Sequence, residues 1–249
     1  MAFFTTDALV LREVHYKEAD RILTLFTADR GIITAKARAA LRKNSKLAAA
    51  TQQLTLSDMT FFENKGKCTV QEAAVKEPFE GLRRNFEDFA LGCYFAECME
   101  ALVQENEPDP LSLQLILNAL YALSHELCEA KAIKAVFELR LMMLMGYTPE
   151  LSSCAVCGKT HPENPILGLE SGHICCRTCR NAEFGTAVYL DDASLEAMRY
   201  ILSAQPKQIF SFRLEKSAQQ RLNEASELYL TSQLGRRFST LEYWKKLKT

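Results

Sequence analysis

The sequence of 249 residues predicts an α+β protein: an N-terminal five-stranded β-barrel of the OB-fold type, then an α-helical domain carrying a four-cysteine zinc-binding insertion. Three observations carry this. Five short apolar runs fill the first 75 residues. After Lys76-Glu77-Pro78 the apolar spacing changes from a strand-like to a helical period. Two Cys-x-x-Cys pairs, Cys154/Cys157 and Cys176/Cys179, stand 18 residues apart.

The five runs are Thr6–Val14, Ile22–Thr27, Ile32–Lys36, Leu54–Phe62 and Thr69–Val75, all rich in Val, Ile, Leu, Phe or Thr. Asp29-Arg30-Gly31 reads as the tight turn between the second and third. Five short strands in this length fit a small closed barrel; an SH3-like barrel is the structural competitor. The boundary falls at residue 78, giving a barrel domain over 1–78 and a helical domain over 79–249.

Charge is segregated within the barrel region. Residues 1–78 hold 12 Lys+Arg and 9 Asp+Glu, whereas residues 79–249 hold 18 and 22, and the overall charge of −1 hides the difference. From Arg30 to Ser57 there are six basic residues and no acidic one: Arg30, Lys36, Arg38, Arg42, Lys43 and Lys46. An acid-free basic run over a barrel strand and the connection after it is where a polyanion would lie. These six are the candidate DNA-binding residues. Tyr16, in a His-Tyr-Lys turn, is the candidate for stacking a base; Phe61 and Phe62 read as barrel core.

The helices follow in order. One starts near Phe86 and continues through Phe89, Ala90 and Cys93, before Pro108-Asp-Pro110. A second places Leu113, Ile116, Leu117, Leu120 and Leu127 on one face. The third, through Ala132, Val136, Leu139 and Met143, is apolar nearly all round and reads as the buried centre, with Gly146 and Pro149 stopping it. Residues 152–190 read as loop, with the insertion at about 152–186. Two more helices begin at an Asp191 or Asp192 N-cap and near Glu215. The tail from Gly235 adds Arg236, Arg237, Lys245, Lys246 and Lys248, as a solvated helix end or a second basic contact.

The cysteine quartet matches the spacing of a closed four-thiolate zinc site, structural because all four positions are taken by protein ligands. Gly158 permits the first knuckle's turn. An iron–sulfur cluster and idle thiols are the alternatives. Lys159, Arg177 and Arg180 stand beside the ligands and offset their charge. Cys175, Cys68, Cys93, Cys98 and Cys128 read as buried thiols or small core residues. His161-Pro-Glu163 before Cys176 echoes a zinc deaminase, but Ile174 and Cys175 stand where that pattern has Pro, and the first cysteine pair would be left without work.

No phosphate-cradling motif occurs; a Ser/His/Asp arrangement stays open from the sequence, although no nucleophile elbow supports one and no catalytic residue is singled out. No signal peptide and no membrane-spanning run is visible, and nine cysteines fit thiols in a reducing cytoplasm. No small-molecule substrate is expected.

The stretches "EADRILTLFTADRG", "AKARAALRKNSKL", "FELRLMMLMGYTPELSSCAVCG" and "SGHICCRTC", in this order, resemble the bacterial recombination mediator family RecO over nearly the whole chain. The resemblance implies an N-terminal OB-fold, a helical domain with a zinc-binding insertion, and a non-enzymatic role in DNA repair and recombination. It implies binding to single- and double-stranded DNA and annealing of complementary strands. It also implies RecA loading with a RecR-like partner, docking of the acidic tail of single-stranded-DNA-binding protein, and a cytoplasmic, nucleoid-associated location. The family often has Gly where Ala37 stands. Rival readings are a zinc-ribbon adaptor that binds only protein and a zinc-dependent hydrolase or deaminase. A helical groove with a basic rim, Lys134 and Arg140 among its candidates, would suit an acidic tail.

Overall fold

The computed structural model describes residues 1–181 and 184–247. They form two compact units: Met1–Ser124 joined by the segment from Phe238 onward, and His125–Arg237.

The first unit is built on five strands, β1 (Ala2–Tyr16), β2 (Asp20–Thr27), β3 (Gly31–Ala37), β4 (Leu56–Asn64) and β5 (Lys67–Glu77), closed in the order β1-β2-β3-β5-β4. Only β3 and β5 pair in parallel. Closure depends on β1. Its first half pairs with β4 and its second with β2, and an irregularity between Val10 and Arg12 bends it from one partner to the other. Alternate residues point inward, so Val10, Leu23, Leu25, Ala35, Met59 and Phe61 fill the core.

The connection from 38 to 55 is a chain of turns, not a floppy loop. Arg42, Ser45 and Ala48 each donate their backbone N–H three residues back, at 3.0–3.3 Å. The buried Arg21 donates Nη1 to the Ala48 carbonyl (3.0 Å) and to Thr51 Oγ1 (2.8 Å). Asp20 Oδ1 accepts the Ala39 N–H at 2.8 Å, and Leu54 N–H donates to the Val10 carbonyl at 2.8 Å. Ala40 is buried with the barrel core and Leu47 packs against it.

This unit extends past the compositional break at residue 78. Helices α1 (Glu80–Arg84), α2 (Phe86–Leu102) and α3 (Pro110–Ser124) belong to it. Asn85 caps α2 by accepting the N–H groups of Glu87 and Asp88. Arg12 of β1 meets Glu100 of α2 at 2.6 Å. The strand of Gly31 and Ile32 is bridged to the 104–106 segment. Leu127, expected on the second helix, lies beyond the end of α3 and is 56% exposed.

The tail holds a further helix, α7 (Ser239–Leu247), which buries Leu241 and Trp244. Phe238 meets Tyr94 of α2 edge-on at 5.6 Å. Reading this tail as a solvated helix end missed that apolar stripe; Lys248 lies outside the described residues.

The second unit holds α4 (Ala130–Leu144), α5 (Asp192–Ser203) and α6 (Lys216–Leu234). The 152–190 stretch, expected to be loop, contains a three-stranded sheet of β6 (Pro165–Gly168), β7 (Ile174–Cys176) and β8 (Ala187–Tyr189), in the order β7-β6-β8. Asp191 caps α5 in a reciprocal box with Ser194. The central helix α4 buries Ile133, Val136, Phe137 and Leu139, and with them two charges. Lys134 Nζ lies 2.8 Å from Glu138 and 3.0 Å from Glu227, while Ser226 Oγ donates to Glu138 at 2.6 Å.

Candidate nucleic-acid face and metal centre

The six basic residues fall into two groups. Arg38, Arg42, Lys43 and Lys46 lie on the pinned connection after β3, all are exposed, and none has an ion-pair partner among the described residues. Their backbone is held by Asp20, Arg21 and the turn ladder, so four exposed cations stand on a pinned path. No carboxylate interrupts the run.

Arg30 and Lys36 are engaged. Arg30 Nη1 pairs with Glu63 at 2.7 Å, and its guanidinium lies 3.6 Å from the centre of the Phe4 ring. It sits at the far end of β3 from Lys36, roughly 20 Å away at ~3.3 Å per residue. Lys36 pairs with Asp20 at 2.7 Å and lies 5.0 Å from the Tyr16 ring centre. The Lys36 side chain and then the Ala39 N–H hold the Asp20 carboxyl below the usual carboxylate range. Tyr16 is 43% exposed; Phe61 is buried in the barrel core, and Phe62 is half-buried on the outer face against the exposed Phe3, at 5.0 Å.

The four cysteines expected to hold metal come together. The sulfurs of Cys154, Cys157, Cys176 and Cys179 all lie within 4.8 Å of one another. The first knuckle is built by the Gly158 turn (φ +75°), and the second by the end of β7 and the 3-10 turn at Arg177–Cys179. Cys154 Sγ accepts the backbone N–H of Cys157 (3.5 Å) and of Cys176 (3.3 Å), which ties the two knuckles together.

The donor set fits a tetrahedral cation. A metal with ~2.3 Å bonds to sulfur spaces its ligands by ~3.8 Å. Cys157 and Cys176 stand 3.8 Å apart. Burial raises the Cys154 thiol, but backbone donors from Cys157, Cys176 and Val156 outweigh it and bring the group down to about 6. Cys179 is pushed up to about 12, first by the neighbouring Cys157 sulfur and then by burial. Four crowded thiols cannot all ionise together unless a cation sits among them. Cys175 points into the small core beside Ile166 and is pushed up to about 11 by burial.

The three basic neighbours make their direct contacts away from the sulfurs. Lys159 Nζ meets Glu163 at 2.9 Å, and thiolate charge at Cys157 and Cys176 helps raise its pKa after the Glu163 contact itself. Arg180 donates to the Gly185 carbonyl at 2.9 Å, and Arg177 lies 5.3 Å from the Tyr189 ring centre. His161 is not among the clustered donors and Glu163 is committed to Lys159, so the deaminase arrangement is not assembled.

One expectation is corrected here. Lys134 and Arg140 do not rim a groove: Lys134 is fully buried among two carboxylates, and Arg140 is half-buried and donates to the Ala204 carbonyl. A groove of about 630 Å³ does exist in the second unit, between residues 127–132 and the 207–219 segment. Phe210, Phe212 and Leu127 line it, and the exposed Lys207, Arg213 and Lys216 rim it. Gln219, 8% exposed, leaves its buried Nε2 without a hydrogen-bond acceptor there. Sequence reasoning missed these residues because the 204–215 segment has no helical or strand period.

Two family models match almost the whole chain. The one described as recombination protein O, N terminal, matches residues 1–79, and the one described as recombination protein O, C terminal, matches residues 83–242. The chain belongs to the RecO family. It is 33% identical over 248 residues to the DNA repair protein RecO of Acetivibrio thermocellus, covering 99% of this chain and 98% of that protein. It is 28% identical to the RecO of Alkaliphilus metalliredigens, covering 97% and 98%. The RecO of Symbiobacterium thermophilum is 26% identical, covering 100% and 99%. RecO membership makes the chain a DNA repair protein, and among its described residues no helix is long and apolar enough to cross a membrane.

Proposed function

We propose that this RecO protein is a non-enzymatic recombination mediator. It binds single- and double-stranded DNA through an OB-fold spanning residues 1–78 and anneals complementary strands. Arg38, Arg42, Lys43 and Lys46 are the principal phosphate contacts. The observation that carries the reading is their placement: exposed, without an ion-pair partner among the described residues, and held on one backbone path that contributes no carboxylate of its own. The strand order β1-β2-β3-β5-β4, with a parallel β3–β5 pair, supports the OB-fold assignment. Cations that neutralise phosphates without touching base edges leave those edges free to pair, which is what annealing needs. Arg30 and Lys36 are the weaker members of the set, since a bound phosphate must compete with Glu63 and Asp20.

The metal is proposed to be one structural zinc on Cys154, Cys157, Cys176 and Cys179, which would fix the fold of the small sheet and do no chemistry. The groove lined by Leu127, Phe210 and Phe212 and rimmed by Lys207, Arg213 and Lys216, with Glu129 as its one carboxylate, supports docking of the acidic tail of single-stranded-DNA-binding protein. With a RecR-like partner, the protein would then assist RecA loading in the cytoplasm.

Filter binding with single-stranded DNA at several salt concentrations tests the reading. Replacing Arg38, Arg42, Lys43 and Lys46 by Ala is expected to weaken binding and flatten its salt dependence. Unchanged binding and slope would return the protein to the class of adaptors that bind only protein.

A further inference from the structure

The outer face of the barrel carries a row of residues that its core does not use. In direct register across the strands lie Val14, Ile22, Lys36, Thr69, Phe62 and Phe3. All point outward: their neighbours Leu23, Ala35, Ala37, Phe61 and Val70 fill the core. Phe3 is 68% exposed and Val14 46%. Its one charge, Lys36, is positive, is paired with Asp20 and lies over the exposed Tyr16 ring, 5.0 Å from its centre.

Large apolar side chains left on a barrel surface mark a contact with something. The position of the row says what. It begins two residues before Arg38, the first of the four unpaired cations, and runs from there across β5 and β4 to the aromatic pair Phe3–Phe62. A ligand that follows the cations and continues along the row must be anionic at one edge and flat and apolar at the other. A single nucleic-acid strand with its bases turned towards the protein has this character. A duplex does not, because its base faces are covered by stacking.

We infer that Phe3 and Phe62 form a stacking platform for the bases of a single strand, while Tyr16 is covered by Lys36 and Lys17 and takes no base. This rests on the proposed DNA contact at Arg38–Lys46 and adds to it the part that separates single strands from duplexes. The span from Lys36 to Phe3 is three strand spacings, ~14 Å, enough for a few bases. Stacking on aromatic rings is indifferent to base identity, which suits a protein that must handle any sequence.

The test compares two strands of equal length, an oligothymidylate and an abasic deoxyribose-phosphate strand, on the full chain. The wild-type protein is expected to bind the oligothymidylate at least about tenfold more tightly. Phe3→Ala and Phe62→Ala erase that preference, leave the salt slope and the melting temperature unchanged, and leave duplex binding unaltered. Phe3→Trp restores it. Because Phe3 is exposed, its variant tests the idea even if Phe62→Ala folds poorly. Equal binding of both strands by the wild type overturns the inference while leaving the phosphate contacts standing. Variants that retain the preference, or that lose only the binding of a partner protein, overturn it too. Failure of the wild type to bind either strand removes the DNA reading and this one together.

Discussion

The carboxylate of Glu97, on α2, closes on the N-terminus of α7, accepting the backbone N–H of Thr240 at 3.0 Å and of Ser239 at 3.3 Å, with the Thr240 hydroxyl as a third donor. Burial alone would raise this carboxyl, but the donors from Thr240 and Ser239 outweigh it and hold it below its ordinary value. A depressed carboxylate stabilises the fold above the unfolded-state pKa, and that contribution fades as pH falls through the folded-state value. Glu97→Ala is expected to cost about 1–2 kcal/mol at neutral pH. Urea melts of wild type and variant should converge in acid, below the ordinary carboxylate range.

The basic residues should separate in two ways. Each of Arg38, Arg42, Lys43 and Lys46 replaced by Ala should lower the salt slope of single-strand binding by about 0.7, with little change in melting temperature. Arg30→Ala and Lys36→Ala should change the slope less and cost up to about 1 kcal/mol of stability, because each ends an ion pair. Salt-titrated binding alongside thermal melts reads both.

Metal removal should be felt locally. Three of the four buried residues of the cluster under the small sheet are cysteines, and two of these, Cys154 and Cys176, are candidate metal donors, so strands of three or four residues depend on the cation. Chelator treatment should collapse hydrogen-exchange protection at β6–β8 while the barrel stays protected. Cys157→Ser should abolish stoichiometric metal. X-ray absorption should show four sulfur neighbours, and affinity should fall with pH as the thiolates protonate.

Gly31 cannot accept a side chain. Its φ is +58°, and a Cβ would sit 2.0 Å from the Glu107 carbonyl oxygen. Gly31→Ala should cost about 2–4 kcal/mol, measured by denaturant unfolding, from backbone strain and loss of the contact between β3 and the 104–107 segment.

Lys134 is enclosed by Glu138 and Glu227. Lys134→Met leaves two carboxylates without their cation and should destabilise the second unit by about 3–5 kcal/mol. Replacing Glu138 by Leu in the same variant should recover part of the loss.

The strands and long helices were legible because their periods run over many residues: inward positions such as Leu23 and Leu25, or Ile133 and Phe137, repeat often enough to be counted. Strands β6–β8 were not, since three or four residues define no period. The stripe Phe238, Leu241 and Trp244 gave the signal for α7, but the flanking arginines and lysines drew the reading to charge. The cysteine knuckles were legible because two local turns set their geometry. The pairing of Arg30 with Glu63, of Lys36 with Asp20, and of Lys134 with Glu227 was hidden, because each partner is brought in by the tertiary fold and a cation reads alike whether bare or neutralised.

Because Phe238–Leu247 follow the second unit in the chain yet pack on α2, the unit begun by the first strand is not finished when residues 125–237 have been synthesised. On the ribosome the internal unit can complete itself first, while the face of α2 that receives Leu241 and Trp244 stays bare until residues 238–247 emerge. A chain cut after residue 237 would therefore damage the barrel-bearing half, far away in sequence, more than the half that directly precedes the cut.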